Sequence, residues 1–305
     1  MKRILLLMIA AFSLEQIVAQ DTTSMVSGLE DKITSEKVTG TFRSTRVINS
    51  HSTEMLHKGE MDFRILHRFG SVKTGYKNLF GLDNASMRLS FDFGITNNFM
   101  IGIGRSTLLK DIDIFAKTRI LQQTKGENEM PVSFLVAGGY IVTTQESLAP
   151  KNPTIVDRSS YYLQMIIGRK FTPDFSMQLS PMVLHNNTTL NATDDQTIIG
   201  LGGGMRYKVS QRIAIVLDYN YAIGKLDATI KNPLSVGVDI GTGGHVFQLH
   251  FSNATGMNEK GYLTQTTGDF FKGDVRFGFN LSRIFRIGKK QKTASQYLLP
   301  TLKEK

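Results

Sequence analysis

The sequence of 305 residues contains no cysteine and no tryptophan, and only 7 residues are proline. The lack of cysteine excludes a structural disulfide, a thiolate metal site, a cysteine nucleophile and a lipid-modified cysteine behind a leader peptide. The lack of tryptophan removes a residue that commonly marks membrane interfaces, and it counts against a membrane location. Stability must therefore come from packing and hydrogen bonding alone.

Long apolar runs are also missing, except for a short one near the amino terminus. Lys2 and Arg3 precede an apolar stretch at residues 4–12, and small residues around Ala19 supply a cleavage site, which is the arrangement of a secretory signal peptide. The stretch is shorter than the roughly 20 residues that cross a membrane as a helix. We therefore expect a cleaved signal peptide at residues 1–19 and a flexible arm at 20–39.

The formal net charge is +10, which raises the question of a nucleic-acid partner. Lysine and arginine are spread along the chain, however, and they form no single dense patch of the kind that binds a phosphate backbone. The densest group, from Arg283 to Lys292, follows the last predicted strand and suits a solvated end near anionic lipid head groups. We predict no nucleic-acid partner.

Apolar and polar residues alternate in segment after segment of the remaining sequence. Phe63 and Ile65, for example, alternate with Asp62 and Arg64, as in strands with one apolar and one polar face. The predicted strands cover residues 40–48, 60–69, 85–94, 98–106, 110–121, 131–142, 159–171, 174–185, 196–209, 211–222, 243–252 and 273–286. Their lengths of around ten residues match tilted strands that cross a membrane.

Tight turns and long polar links separate these strands in an uneven way. Residues 94–98, 171–175 and 209–212 are short and rich in turn-forming residues, whereas 143–158 and 223–242 are long. That asymmetry is typical of outer-membrane barrels, in which the short turns are periplasmic. We predict an all-β protein whose fold is a closed antiparallel transmembrane β-barrel of about twelve strands, spanning residues 40–287, with a polar basic tail at 288–305. A soluble barrel, whose apolar face would point inward, is the structural alternative.

In a membrane barrel the charged face of each strand must point into the lumen. A lone Arg or Lys on the lipid face costs about 2 to 4 kcal/mol at the midplane, so the reverse assignment is prohibitive for many cations. The candidate lumen-facing residues are Arg64, Arg68, Arg88, Asp92, Lys117, Arg119, Lys170, Arg206, Asp218 and Arg276. The excess of cations would favour anionic solutes if an aqueous path exists. If none exists, the same residues form an interior salt-bridge network.

Several landmarks, chiefly in the first half of the chain, carry a resemblance. They are Ile48-Asn-Ser-His-Ser-Thr-Glu54, Lys58-Gly-Glu-Met-Asp-Phe-Arg-Ile65, His67-Arg-Phe-Gly70, Phe80-Gly-Leu-Asp83, Gly94-Ile-Thr-Asn-Asn98 and Ile101-Gly-Ile-Gly-Arg105. In their order and spacing they resemble a bacterial β-barrel domain family of unknown function, over nearly the whole mature chain. The resemblance implies a barrel fold and an outer-membrane setting in a Gram-negative bacterium. It implies no catalytic residue.

Few residues suggest chemistry. Asn49, His51 and Ser52 are of the types that a barrel phospholipase uses, but a nucleophile and its base must share a face, and in a strand Ser52 would oppose the other two. A polar segment at the barrel mouth or inside the barrel as a plug explains them better. The histidines have no metal-ligand spacing. The glycine-rich run at residues 200–204 lacks a phosphate-loop ending, and we expect it to bend a strand or make room in a narrow barrel. We predict no catalytic residue, no metal site and no cofactor.

The sequence therefore predicts a non-enzymatic protein of the outer membrane, exported through its signal peptide. It would serve as a narrow channel or a component of an envelope system, with outer-membrane lipids, small anionic solutes or neighbouring envelope proteins as partners. Two alternatives stay open: a lipid-modifying barrel enzyme that uses His51 at the rim, and a soluble periplasmic β-barrel that binds a ligand.

Overall fold

A computed structural model describes residues 35–145 and 153–287 of the chain. The predicted signal peptide, residues 20–34 of the predicted arm and the predicted tail at 288–305 lie outside these described residues. Within them, no helix is both long enough and apolar enough to cross a membrane.

Twelve antiparallel strands form a closed barrel, as the alternation of apolar and polar residues predicts. The strands of the wall are β2 (Glu60–Ser71), β3 (Ala85–Gly94), β4 (Phe99–Ser106), β5 (Asp111–Leu121), β7 (Ser133–Thr143), β8 (Ser159–Lys170), β9 (Phe175–Asn186), β10 (Thr197–Lys208), β11 (Ile213–Ile223), β12 (Leu234–Thr242), β13 (His245–Ser252) and β14 (Arg276–Arg286). Wall strands that follow one another in the chain pair with each other, and β14 pairs with β2 to close the cylinder. Two short strands outside the wall, β1 (Glu36–Lys37) and β6 (Thr124–Lys125), pair with each other.

The strand count is confirmed, but one predicted strand is wrong and one real strand was missed. Residues 40–48 form no strand: Gly40 is exposed, and residues 41–48 form bends inside the barrel, with one isolated bridge from Arg46 to His51. The segment has no separate apolar and polar faces, because side chains at odd and at even positions are alike buried or half-buried. Its weak alternation therefore does not indicate a strand. Strand β12 lies within the long link predicted at 223–242. Its signal is present, since Val236 and Val238 alternate with Ser235 and Gly237, but small inward residues and the neighbouring Pro233 obscure it.

The two ends of the barrel differ in their connections. The short-turn end carries the turns at 95–98, 171–174, 209–212 and 243–244, the longer connection at 122–132, and both described ends of the chain. The long-loop end carries the connections at 72–84, 107–110, 187–196, 224–233 and 253–275, together with the described residues 144–145 and 153–158 between β7 and β8. The connection at 107–110 is tight. Gly243, with a φ of +49°, occupies a turn position in the left-handed region that favours glycine.

Apolar side chains cover the outside of the wall. Ile103, Leu163 and Val183 are 47%, 53% and 48% exposed, although burial of such side chains in a soluble protein is strongly favourable. Tyr161 and Tyr207 are exposed at opposite ends of the wall, in the positions of interface aromatics. The outer surface is therefore the apolar one, which is the reverse of a soluble barrel.

Candidate functional site

The interior of the barrel is filled, and the first filling segment comes from the short-turn end. We call residues 41–56 the plug; almost every residue in it is buried. The plug contacts strands around the whole circumference, including β5, β9, β11 and β14, so it occupies the lumen and does not lie against one wall. It then leads directly into β2.

Asp218 on β11 binds the plug through its main chain. Its Oδ2 accepts hydrogen bonds from the backbone N–H groups of Ile48, Asn49 and Ser50 at 3.2, 2.7 and 2.9 Å. Its Oδ1 accepts from the Ser50 hydroxyl at 2.8 Å. Asp218 itself is 1% exposed. One buried carboxylate thus satisfies three consecutive backbone donors that no regular secondary structure pairs, which an apolar wall cannot do.

Lys117 on β5 performs the complementary task for backbone acceptors. Its Nζ donates to the carbonyl oxygens of Thr45, Ser52 and Glu54 at 3.2, 3.2 and 2.8 Å. An ammonium group has three donors and no acceptor, so all of its hydrogen-bonding capacity is used on the plug. Further wall side chains that donate to carbonyl oxygens of the plug are Arg119 to Thr53, Gln178 to His51, Gln248 to Val47 and Asn280 to Ile48. Lys170 and Arg206 donate to the carbonyl oxygens of Thr39 and Gly40, just before the plug.

A second segment fills the barrel from the long-loop end. We call residues 253–268 the inserted loop; it includes a one-and-a-half-turn helix, α1 (Glu259–Thr264), whose residues are all buried. The Asn258 side chain caps α1 by accepting from the N–H of Gly261 at 2.7 Å. The amide of Asn258 also donates to Asp111 at 3.0 Å, which ties the inserted loop to β5.

The plug and the inserted loop meet inside the barrel through an ion pair. Arg46 Nη1 lies 2.8 Å from Glu259 Oε1, and both side chains are 1% exposed. Arg46 also donates to the Asn49 carbonyl at 2.7 Å. A buried pair of this kind is costly to break from one side, because the remaining charge is left without a partner. The contact therefore links segments that enter from opposite ends.

His51 lies beside this ion pair and is not at the rim. Its Nε2 is 3.1 Å from the Tyr162 hydroxyl and 3.4 Å from Glu259 Oε1. Burial, followed by the positive charges of Arg46 and Lys117, holds the pKa of His51 well below its ordinary value. The nearby carboxylate does not reverse this, since Glu259 is already paired with Arg46. His51 is therefore neutral in the closed barrel.

The low pKa of His51 makes the plug sensitive to acid. A released, solvated His51 has an ordinary pKa of about 6.5, so the released state binds the proton first as pH falls. We expect the filled state to lose up to about 1.4 kcal/mol of stability for each pH unit below about 6.5. As the pH is lowered from 7 to 5.5, release of the plug should increase in the natural protein and stay constant in His51→Gln. Current through the barrel in planar bilayers measures this release. The exposed His57→Gln serves as the control, and an unchanged acid response in His51→Gln would contradict the assignment.

The structure places the candidate lumen residues as follows. Fully or nearly fully buried inside the barrel are Arg64, Arg68, Arg88, Asp92, Lys117, Arg206 and Asp218, whereas Arg119, Lys170 and Arg276 are half-buried. Arg88 pairs with Asp113, and Arg68 donates to the Asn49 side chain at 2.7 Å. Arg276 donates to the Asn253 carbonyl at 2.9 Å, in the inserted loop. Most of these side chains therefore contact the two filling segments or each other.

Buried charge inside the barrel is balanced among the described residues. The buried cations are Arg46, Arg64, Arg68, Arg88, Lys117, Arg206 and Lys260, and the buried anions are Asp62, Asp92, Asp111, Asp113, Asp218, Asp239 and Glu259. The further inward cations Arg119, Lys170 and Arg276 are half-buried and lie outside this balance. Sequence analysis missed all three of Arg46, Glu259 and Asp239. Arg46 lies in the weakly alternating segment that was wrongly predicted as a strand, Glu259 lies outside the predicted strands, and Asp239 lies in the missed strand β12.

Glycines in the wall make room for the filling segments. A Cβ at Gly204 would come within 2.9 Å of the Val47 side chain in the plug, and a Cβ at Gly200 within 3.2 Å of Leu263 in α1. Both distances are shorter than ordinary packing allows. The glycine-rich run on β10 therefore serves close packing in a narrow barrel.

One family profile matches residues 42–285 and is described as a membrane-bound β-barrel domain, DUF5777. The chain belongs to this family. Membership agrees with the apolar outer wall, and the match spans both the plug and the inserted loop. The protein is thus a membrane-bound barrel that is filled by its own chain. No curated protein matches the sequence.

Solved structures that are similar to this chain include two porins and LpxR. The NanC porin and the KdgM porin each share 10% identity, with a TM-score of 0.46, and cover 73% of this chain and 98% of their own. LpxR from Salmonella typhimurium shares 11% identity, with a TM-score of 0.32, and covers 74% of this chain and 99% of its own. With likenesses this distant, function has to be argued from the residues of this chain.

Proposed function

We propose that the protein is a non-enzymatic outer-membrane barrel that acts as a gated narrow channel, closed by its own plug. The observation that carries this is the way the wall binds the plug: polar wall side chains hold the plug's main chain, as Asp218 and Lys117 do. If the plug served stability alone, apolar side chains would stabilise the barrel at least as well, because buried charges contribute little net stability. Polar contacts can instead be exchanged for water when the segment leaves.

The wall's own charges support a preference for anions once the plug is released. Arg119, Lys170 and Arg206 surround the entry of the plug at the short-turn end, and each donates to a backbone carbonyl oxygen at residues 39–53. When those carbonyls leave, the three cations face the water that enters the bore. A ring of fixed positive charge biases permeation toward anions. Small anionic solutes are therefore the proposed cargo.

The enzymatic alternative loses its main candidate. A lipid-modifying enzyme needs its base at the rim, within reach of a lipid ester. His51 is 1% exposed and is enclosed by Arg46, Tyr162 and Glu259. No observation on the described residues favours this second function over a channel.

A reversible lock on the plug tests the proposal. A Cβ added at Gly168 on β8 would contact the Thr53 methyl in the plug, and no other atom lies within 3.3 Å of it. The double variant Thr53→Cys/Gly168→Cys removes that methyl and places two thiols at disulfide distance. Because the natural chain has no cysteine, oxidation acts on this pair alone. We expect single-channel openings in planar bilayers to vanish after oxidation and to return after reduction.

The matched controls are the two single-cysteine variants, which should open equally under both conditions. In a salt gradient across the same bilayer, the sign of the reversal potential shows whether anions or cations carry the current. We expect the sign of an anion-selective channel for the reduced double variant. Equal conductance of the oxidised and reduced double variant would show that current does not pass the plug. A silent protein with confirmed folding under all conditions would remove the channel proposal altogether.

A further inference from the structure

The outer wall carries an apolar groove that neither the plug nor the channel role explains. It has a volume of about 560 Å³ and crosses β4, β5 and β7. Its floor is formed by the small outward residues Ala116 and Gly138, which face each other across the β5–β7 pair. Ile103, Ile114 and Tyr140 rise beside them on the same surface. On a membrane barrel this groove opens into the hydrocarbon of the bilayer.

A cation stands at one end of the groove. Arg105 lies two residues beyond Ile103 on the same face of β4, about 7 Å along the strand toward the long-loop end. It is the only Arg or Lys among the outward residues in that half of the described wall strands. A lipid-facing cation costs several kcal/mol at midplane but about 0 to 1 kcal/mol near an interface. Arg105 is thus placed where lipid head groups lie.

The adjoining turn adds a second positive charge. Lys110 is exposed and directly precedes β5, in the tight connection at residues 107–110. Its carbonyl oxygen accepts from Arg105 Nη1 at 3.4 Å and from the Thr144 hydroxyl at 2.6 Å, which holds the turn close to Arg105. Arg105 and Lys110 thus lie at the end of the groove that is nearer the membrane surface. This arrangement complements a lipid with an acidic head group at the membrane surface and acyl chains in the hydrocarbon.

We propose that this groove is a binding site for a phosphorylated, acylated lipid of the outer leaflet, the lipid A portion of lipopolysaccharide. One acyl chain lies in the groove over Ala116 and Gly138, and a phosphate contacts Arg105 and Lys110. The concave surface suits a flexible chain better than a second copy of the barrel, since a stable protein interface buries about 800 Å² on each partner with matching shape. The site depends on the proposed outer-membrane location and is independent of the channel role.

Native mass spectrometry of the full-length protein in detergent, titrated with synthetic diphosphorylated lipid A, tests the site. We expect a one-to-one adduct whose dissociation constant rises about fivefold in Arg105→Gln and at least as much in Gly138→Leu, which fills the groove. Ala116→Leu fills the same groove from the neighbouring strand and covers the case in which Gly138→Leu fails to fold. Heat-modifiable gel migration confirms the fold of each variant.

Two matched variants separate this site from general effects. Gly203→Leu adds the same side chain at an outward position of β10 where a Cβ would meet no atom, and Lys225→Gln removes an exposed cation from another loop at the same end. Both should bind lipid A as the natural protein does. Equal weakening in these controls, no weakening in the groove variants, or equally tight binding of phosphatidylglycerol would overturn the proposal. A dimer that Gly138→Leu abolishes would also overturn it, because the face would then join two copies.

Discussion

Replacing Asp218 by alanine is expected to open the barrel. The substitution leaves three buried backbone N–H groups of the plug without an acceptor, at residues Ile48, Asn49 and Ser50. Each unsatisfied buried donor costs about 1 to 3 kcal/mol, and we expect the filled state to lose about 3 to 5 kcal/mol in total. That corresponds to an increase of roughly 100-fold or more in the ratio of released to filled barrels. Open probability in planar bilayers measures the change.

Asp62→Ala is the matched control for Asp218→Ala. Asp62 is an equally buried aspartate of the wall, and its oxygens accept from the Ser282 hydroxyl at 2.6 and 2.7 Å, while its Oδ2 lies 3.5 Å from Arg64 Nη1. It makes no direct contact with the plug, and Arg64, which donates to Thr45, is retained in the variant. A loss of general barrel stability would affect both variants alike, whereas release of the plug should raise conductance in Asp218→Ala alone. Similar conductance in the two variants would rule out Asp218 as the residue that holds the plug.

Replacing Lys117 by methionine should have a comparable effect through the acceptors of the plug. Methionine retains most of the side-chain volume but leaves the carbonyl oxygens of Thr45, Ser52 and Glu54 without their shared donor. We expect a loss of about 3 kcal/mol or more in the stability of the filled state. A single cysteine at Val47, which is 1% exposed, reports release directly, since thiol reagents reach it only when the plug leaves.

The expected rate of thiol labelling is at least tenfold higher in Val47→Cys/Lys117→Met than in Val47→Cys alone. Lys208→Met, in the same cysteine background, removes a lysine that pairs with Asp174 at 3.0 Å near the short-turn end and does not contact the plug. Labelling should stay slow in that control. Slow labelling in the Lys117 variant as well would show that the remaining contacts suffice to keep the plug in place.

Strand positions could be predicted from the sequence because alternation reports directly on a wall with two different faces. The apolar set at Leu89 and Phe91 and the polar set at Arg88 and Asp92 follow from this rule alone. The contents of the barrel could not be predicted in the same way. Contacts such as Asp218 with Ser50 join residues 168 positions apart. Alternation places Asp218 on the inner face, but Ser50 lies in an irregular segment and carries no periodic signal.

The role of the interior cations shows the same limit. The sequence indicates that Lys117 and Arg119 face inward, and it predicts that they meet solutes or acidic side chains. In the structure both donate to backbone carbonyl oxygens of the plug. Every residue of a chain carries such a carbonyl, so no residue type marks the partner, and an irregular segment of this kind escapes pattern analysis.

In the proposed channel, the ion pair between Arg46 and Glu259 couples release of the plug to release of the inserted loop. The inserted loop fills the barrel from the other end, so the openings expected on release of the plug require the inserted loop to leave with it. If the two segments moved independently, the chance of passage would be the product of two small probabilities. The ion pair couples the two movements. When Arg46 leaves with the plug, Glu259 is left buried without its partner, and this lowers the free energy needed for the inserted loop to leave as well. A ligand that displaces either segment at one end of the barrel would then also favour displacement of the other segment at the opposite end.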